Sequence, residues 1–324
     1  MPLKRDFIRV VAAMKEAAEI VILTHTQPDG DAIGSALGLA LILRKAGKQA
    51  VVAWADKSAM PEQYTFLPGQ EFLSDLNELP AEPDLVIATD CGASDRLGAA
   101  VDIFLKARVS VNIDHHRNNK GFATINVVDA GCASAAEMIY ELGKMLGIEP
   151  DIDIALNLYA GIVTDTGRFQ YSNTTEHSFL TAAKLIKVGV DPAMVFRNVY
   201  ESTSLTRLKL ASRAFEVVVF DAEIGFIHTV ITKEDLKSVG ASISDAENLI
   251  DSLRAVAGVK VAAVLKDTNG KLRVSLRSTG DIDVGAIAES KGGGGHKLAA
   301  GYNTNMKPSK AIEELRQTIE EGTW

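Results

Sequence analysis

Apolar and polar positions alternate between two kinds of run through the first 190 residues. EIVILTH (19–25), QAVVAWA (49–55), DLVIATD (84–90) and VSVNIDH (109–115) are short and continuously apolar. Such runs predict parallel strands covered on both faces, since a half-exposed strand would carry a polar residue at every second position. Between the first two, IGSALGLALILRKAGK (33–48) has helical spacing and predicts a helix ended near Gly47. The N-terminal MPLKRDFIRVVAAMKEA also reads as a charged helix, not a signal peptide. Strand and helix in alternation predict an α/β fold built on a doubly wound parallel sheet, where ligands gather outside the carboxyl ends of the strands.

Farther along, CASAAEMIYELGKMLG, DIDIALNLYAGIVTDTG and TTEHSFLTAAKLIKVG predict helices, the last closed by Gly189. Pro192 and the hydroxyl-rich ESTSLT predict a linker over 191–205, which leaves residues 1–190 as one domain and 206–324 as a smaller α/β domain. The strands expected in the second domain are EVVVF, GFIHTVI, VKVAAVLKD and KLRVSLRS. The last two join through Thr268-Asn269-Gly270, and Asn-Gly is a strong hairpin signal.

The polar residues that end these apolar runs are the candidate chemistry. THTQPDGD holds His25, Asp29 and Asp31, ATDC holds Asp90, IDHH holds His115 and VTDTG holds Asp165. Alone, an aspartate such as Asp90 at a strand end is more often a cap or turn residue. Three ligand-type side chains within seven residues, spaced by Pro28 and Gly30, would repel or stay unpaired without a cation. A double histidine directly after Asp114 adds further ligand chemistry. Hard divalent cations take carboxylate and imidazole ligands of this kind, so the pattern predicts a two-metal cage and a metal-dependent hydrolase.

Composition narrows the class. A chain of 324 residues, 47% apolar and 23% charged, suits two globular domains. Its net charge of −8 argues against salt-driven binding of long duplex nucleic acid and leaves short or small phosphorylated substrates open. Two cysteines, Cys91 and Cys132, make no disulfide framework, and no apolar run approaches a membrane span, so a cytoplasmic protein is expected.

A second motif, KGGGGHKLAAG (291–301), places Gly293, Gly294 and Gly295 before His296. Its glycines free the backbone to approach a ligand, and the small residues after them suit a helix N-terminus that would attract a phosphate; the plainer alternative is a flexible turn. Upstream, Ser275, Arg277 and Ser278 in VSLRS offer a guanidinium and two hydroxyls to the same phosphate.

Taken together, THTQPDGDAIGS, ATDC, NIDHH, GIVTDTGRF and GGGGHKLAAG make the chain resemble the DHH phosphoesterase family with its C-terminal DHHA1 domain, over nearly the whole length. The compact two-domain form is similar to the oligoribonuclease (nanoRNase) and 3′-phosphoadenosine 5′-phosphate (pAp) phosphatase type. The resemblance implies two manganese ions per chain, with magnesium or cobalt as alternatives. His25, Asp29 and Asp90 would surround one, and Asp31, Asp90, His115 and Asp165 the other, with Asp90 bridging. It further implies that His116 faces the scissile phosphate, that Asp114 supports His115, and that the glycine segment with His296 and Arg277 holds the terminal nucleotide across a cleft that favours very short oligomers. Cleavage of cyclic di-AMP or pApA is the alternative activity, and a nucleotide-binding regulator is the non-enzyme one. A homodimer stays open.

Overall fold

The computed structural model describes residues 3–54, 60–201, 204–246, 249–268 and 270–322, apart from the side chains of residues 3, 4, 268 and 296. Ala55 of the second apolar run, Asn269 of the hairpin signal, Ser202 and Thr203 of the linker, and the His296 side chain therefore lie outside the described residues. The chain divides into two compact units at 202/203.

The first unit runs α1 (Leu3–Glu16), β1 (Glu19–Thr24), α2 (Gly30–Lys45), β2 (Gln49–Trp54), β3 (Leu85–Thr89), α3 (Val101–Lys106), β4 (Val109–Asp114), β5 (Ile125–Val128), α4 (Ala135–Met145), α5 (Ile152–Asp165), α6 (Glu176–Val188) and α7 (Pro192–Tyr200). Its five strands are all parallel, in the order β2-β1-β3-β4-β5. The four apolar runs are the first four strands. The fifth, INVV, carries no such run: it is a half-buried edge, and Asn126 in it turns its side-chain oxygen to the amides of Phe122 and Ala123. Both faces are covered, as continuous apolar strands require. Ile20 and Ile22 belong to a core with residues of α1, α2, α4 and α5, while Val21 and Leu23 pack with Leu97, Ala100 and Phe104. The chain leaves β1 for β2 on one side and returns to β3 on the other, which opens a topological switch point at the carboxyl ends of β1 and β3.

α2 and α5 pack backbone to backbone. A Cβ on Gly34 would fall on the Asn157 carbonyl oxygen, and one on Gly161 would lie 2.8 Å from an Asp31 carboxylate oxygen. Only glycine permits that approach, and it sets the start of α2 against the end of α5. Much of 191–205, expected as a linker, is helical: Asp191 caps α7, Pro192 opens its first turn and Val195 is buried. Proline is at home in the first helical turn, so the residue taken as a breaker is a helix start.

The second unit runs α8 (Leu205–Glu216), β6 (Val219–Asp221), β7 (Phe226–Ile231), α9 (Lys233–Val239), α10 (Leu249–Arg254), β8 (Val261–Thr268), β9 (Lys271–Ser278), α11 (Val284–Ser290), β10 (Gly294–His296), β11 (Ala299–Thr304) and α12 (Pro308–Glu321). A mixed six-stranded sheet has the order β10-β11-β9-β8-β7-β6, with only β7 and β8 parallel. Residues alternate along β8: Val261, Ala263 and Leu265 join one core with α11 and α12, and Ala262 and Val264 join another with α8 and α10. The β8–β9 hairpin closes with Thr268 opposite Lys271 and Gly270 at φ +86°. EVVVF contributes a strand only from Val219, because α8 extends through Glu216.

The glycine segment differs from expectation. It is the edge strand β10, paired with β11, and the small residues after it continue the sheet where a helix start was expected. Two of its glycines are there for close approach: a Cβ on Gly295, at φ +144°, would lie 2.5 Å from the Ala299 carbonyl oxygen, and one on Gly293 would fall on Gly301.

Candidate active site

Six candidate ligands converge at the carboxyl ends of β1, β3 and β4, at the N-terminus of α2 and at the C-terminus of α5. Ligand atoms of His25, Asp29 and Asp90 lie within 4.8 Å of one another, as do those of Asp31, His115 and Asp165, and those of Asp90, His115 and His116. Asp90 is central. Its Oδ2 is 3.6 Å from His25 Nε2, and its Oδ1 is 3.3 Å from His115 Nε2 and 3.7 Å from His116 Nδ1. His115 Nε2 also lies 3.4 Å from Asp165 Oδ2 and 3.9 Å from Asp31 Oδ2.

Local structure fixes each side chain. Asp29 caps α2 by accepting the Asp31 and Ala32 amides at 3.0 Å. Asp31, fully buried, accepts the Ala135 amide at 2.6 Å and the Ala136 amide at 2.9 Å, so two helix N-termini support two acids of the cluster. His25 Nδ1 is 2.8 Å from the Thr26 carbonyl oxygen, which can only accept; Nδ1 therefore carries a proton and Nε2 faces the cluster. Asp165 is steadied through its carbonyl oxygen, which accepts from Asn173 Nδ2 at 3.0 Å.

Asp114 departs from expectation. It is bonded to His116, Oδ1 to Nδ1 at 2.7 Å, and not to His115. It is fully buried, and its other oxygen accepts from Asn119 Nδ2 at 2.6 Å. Because the strand ends at Asp114 and the chain turns there, the residue two places on comes under the carboxylate while its neighbour points to the cluster. Asn119, and Arg96, whose guanidinium lies 3.3 Å from His25 Nδ1, were not singled out in the sequence. Their partners are 5 and 71 residues away, and nothing in either local pattern marks the pairing.

The electrostatics are those of a site short of positive charge. Burial, reinforced by Asp90 and Asp165, holds Asp31 well above the usual carboxylate range. Burial likewise pushes Asp165 up to about 7, against the pull of His115. Asp90 is the exception: burial would raise it, but His115 and His25 hold it below the usual range. Burial would lower His115, yet contact with Asp90 and the charges of Asp31 and Asp165 push it up to about 10. The hydrogen bond to Asp114 outweighs burial and raises His116. Asp90 Oδ1 is buried and accepts no hydrogen bond.

Four non-glycine residues among those described take a left-handed φ: Gln27 at +54°, Asp90 at +53°, Arg168 at +64° and Phe169 at +63°. All four lie in segments that carry candidate ligands. Such backbone is unfavourable by roughly 1–2 kcal/mol per residue for most side chains, and its confinement to one locality marks a functional site.

In the second unit, sheet register aligns Ser275 with Gly301 and Gly294, and Arg277 with Ala299 and His296. Ser275 and Arg277 are half-buried beside a floor of very small residues, and Arg277 Nε is 3.9 Å from Asp251 Oδ1. Ser278 is not with them. It is buried, and its hydroxyl accepts the Gly280 amide at 3.1 Å.

The sequence pattern of the DHH family, N-terminal domain, matches residues 19–162, and that of the DHHA1 domain matches residues 226–322. The bifunctional oligoribonuclease and PAP phosphatase NrnA of Thermus thermophilus is 35% identical over 319 residues, covering 97% of this chain and 94% of the relative. The Bacillus subtilis protein of the same name is 32% identical over 310 residues, covering 92% of each. A solved structure, an exopolyphosphatase-related protein from Bacteroides fragilis, matches with a TM-score of 0.93 at 25% identity, over 98% of this chain and 96% of that one. No helix among the described residues is long and apolar enough to cross a membrane.

Proposed function

We propose that this chain, which belongs to the DHH family of phosphoesterases, hydrolyses short oligoribonucleotides to mononucleotides and pAp to AMP with the help of two manganese ions. Near full-length relatives named for both activities support the substrate class. The observation that carries the metal reading is Asp90 Oδ1, a carboxylate oxygen removed from water that accepts no well-formed hydrogen bond, although His115 Nε2 lies 3.3 Å away, in a cluster with three further acids and three histidines. Left so, it would destabilise the fold by several kcal/mol; a cation supplies the missing partner.

The donor set fits. His25, Asp29 and Asp90 would hold one cation and Asp31, His115 and Asp165 the other, with Asp90 shared. The carboxylates suit manganese, and the imidazoles beside them favour a transition metal over magnesium or calcium. Bound cations of this kind supply an activated water as nucleophile and neutralise charge that builds on phosphoryl oxygens.

The chain's own residues do the rest. Asp114 fixes the His116 ring and favours its protonated form, which orients His116 to meet the phosphoryl group as a hydrogen-bond donor. Asn119 clamps Asp114 from behind. Ser275, Arg277, Gly293 and the β10 strand of Gly294, Gly295 and His296 bind the terminal nucleotide, whose flat base suits the bare backbone of the glycines.

Product analysis with pAp, pApA, a five-residue RNA and cyclic di-AMP tests the substrate assignment. With manganese, AMP should form from pAp, and the RNA should shorten to mononucleotides. Turnover of cyclic di-AMP alone would replace the assignment.

Metal affinity should also depend on pH, because a proton and a cation compete for Asp165. Below about 7 the proton holds the carboxyl; above it the carboxylate is free, so affinity rises with pH and binding releases protons. Asp165 alone gives roughly a tenfold gain from pH 6 to 8, and His115, protonated throughout that range, adds to it. Calorimetric manganese titrations at the two pH values read this directly. An unchanged affinity would remove both residues from the ligand set.

A further inference from the structure

We infer that Arg168 is a substrate-binding residue whose guanidinium grips a phosphate of the nucleotide on the Asp165 side of the cluster. This rests on the phosphoesterase reading above.

The inference begins with the backbone. Gly167, Arg168 and Phe169 form three successive left-handed residues, at φ +53°, +64° and +63°. Glycine suits that conformation and arginine does not, so holding an arginine there takes a well-determined surround. The surround is present. The Arg168 amide donates to the Val163 carbonyl oxygen at 2.8 Å and the Phe169 amide to Thr166 Oγ1 at 3.1 Å; the amides of Gln170 and Tyr171 both donate to the Thr166 carbonyl oxygen at 3.0 Å. Phe169 stacks on Phe179 with ring centres 5.0 Å apart. Thr166, the hub of these bonds, is fully buried and directly follows Asp165.

The side chain is the second observation. Arg168 is exposed and lies over the Tyr200 ring, 5.1 Å from its centre. Among the described residues it has no carboxylate partner, in a chain with eight more acidic than basic groups. Tyr200 is tied to α5 by its hydroxyl, which donates to the Val163 carbonyl oxygen at 3.3 Å. Burial pushes that hydroxyl up to about 12, with Arg168 pulling it down and Tyr171 and Asp165 pushing it up, so the ring beneath the guanidinium is neutral and is near enough to feel the Asp165 charge. Three peptide units limit the Cα atoms of Asp165 and Arg168 to about 11 Å even when fully extended, and a turn is shorter. A guanidinium seated on Tyr200, without a carboxylate partner among the described residues and carried by a residue this close in the chain to Asp165, has the fork geometry that phosphate recognition uses.

If Arg168 merely shaped the turn, glycine would serve at least as well, and this separates the two roles. Arg168→Gly should leave the melting temperature unchanged or raised. Its KM for pAp should nonetheless rise on the order of ten- to a hundredfold, with kcat altered less than about threefold, as for a lost charge-assisted phosphate contact. Arg168→Lys should fall between, keeping the charge without the fork. Millimolar guanidinium chloride should restore part of the activity of Arg168→Gly and none to the wild type. A calorimetric titration with AMP gives a readout independent of turnover, and affinity should drop by a similar factor. An active wild type matched by Arg168→Gly in both KM and AMP affinity overturns the inference alone. A wild type that binds AMP more tightly than the variant, yet hydrolyses neither pAp nor RNA, leaves the inference standing and removes the phosphoesterase reading.

Discussion

Asp90→Asn should lower pAp hydrolysis on the order of a thousandfold or more, about 4 kcal/mol on the barrier, while the protein stays folded. The size of the effect follows from position. Asp90 belongs to two of the three ligand groups, and its two oxygens face His25 on one side and His115 on the other. Asparagine offers one neutral oxygen and no charge, so both proposed cations would lose a ligand together. Asparagine is also the informative choice, because it tolerates the left-handed φ of +53° as aspartate does, whereas alanine would add backbone strain to the chemical loss. Bound manganese, steady-state rates and circular dichroism should be measured on the same preparation. A variant that kept more than about a tenth of the wild-type rate, a loss under roughly 1.4 kcal/mol, would take the bridging role away from Asp90.

The cluster was legible in the sequence because its residues end apolar runs, and parallel strands bring such ends to one edge. No fold-level detail was needed to group His25, Asp90 and His115. Asp165 was harder: it comes from a helix, and the glycine contacts of α2 with α5, at Gly34 and Gly161, bring it in. β5 escaped notice because a four-residue edge strand with an asparagine in it has no apolar run to read. The glycine motif was recognised as chemistry but misread as structure. Four glycines suggest a loop, and only the register with β11 shows that the segment runs into a sheet edge, where the neighbours of Gly293 and Gly295 leave no room for a Cβ. Ser278 could have been set apart by counting: three residues from Ser275, it falls on the opposite face of a strand whose side chains alternate. The bond of Asp114 to His116 and the left-handed turn at Gly167 depend on backbone angles that no spacing in the sequence reveals.

The positions of strain and of charge coincide in a way that bears on mechanism. All four left-handed non-glycine residues lie in segments that carry the cluster, and so do the acids raised most by burial and mutual repulsion. Each feature is unfavourable in the bare protein. Cations that neutralise the acids would relieve the repulsion, so metal binding and stability should be coupled, with the loaded form melting higher.

The second large effect is metal removal, and it is also the most direct test of the account. Protein stripped with chelator and dialysed should release no AMP from pAp, because in the proposed reaction the nucleophile is a metal-activated water and the acids and histidines serve as ligands and positioning groups. Manganese added back in steps, with AMP release and bound metal followed together, should restore activity to a plateau at two ions per chain. Full activity in excess chelator, or a plateau at a single ion, would contradict hydrolysis at a two-cation cluster bridged by Asp90.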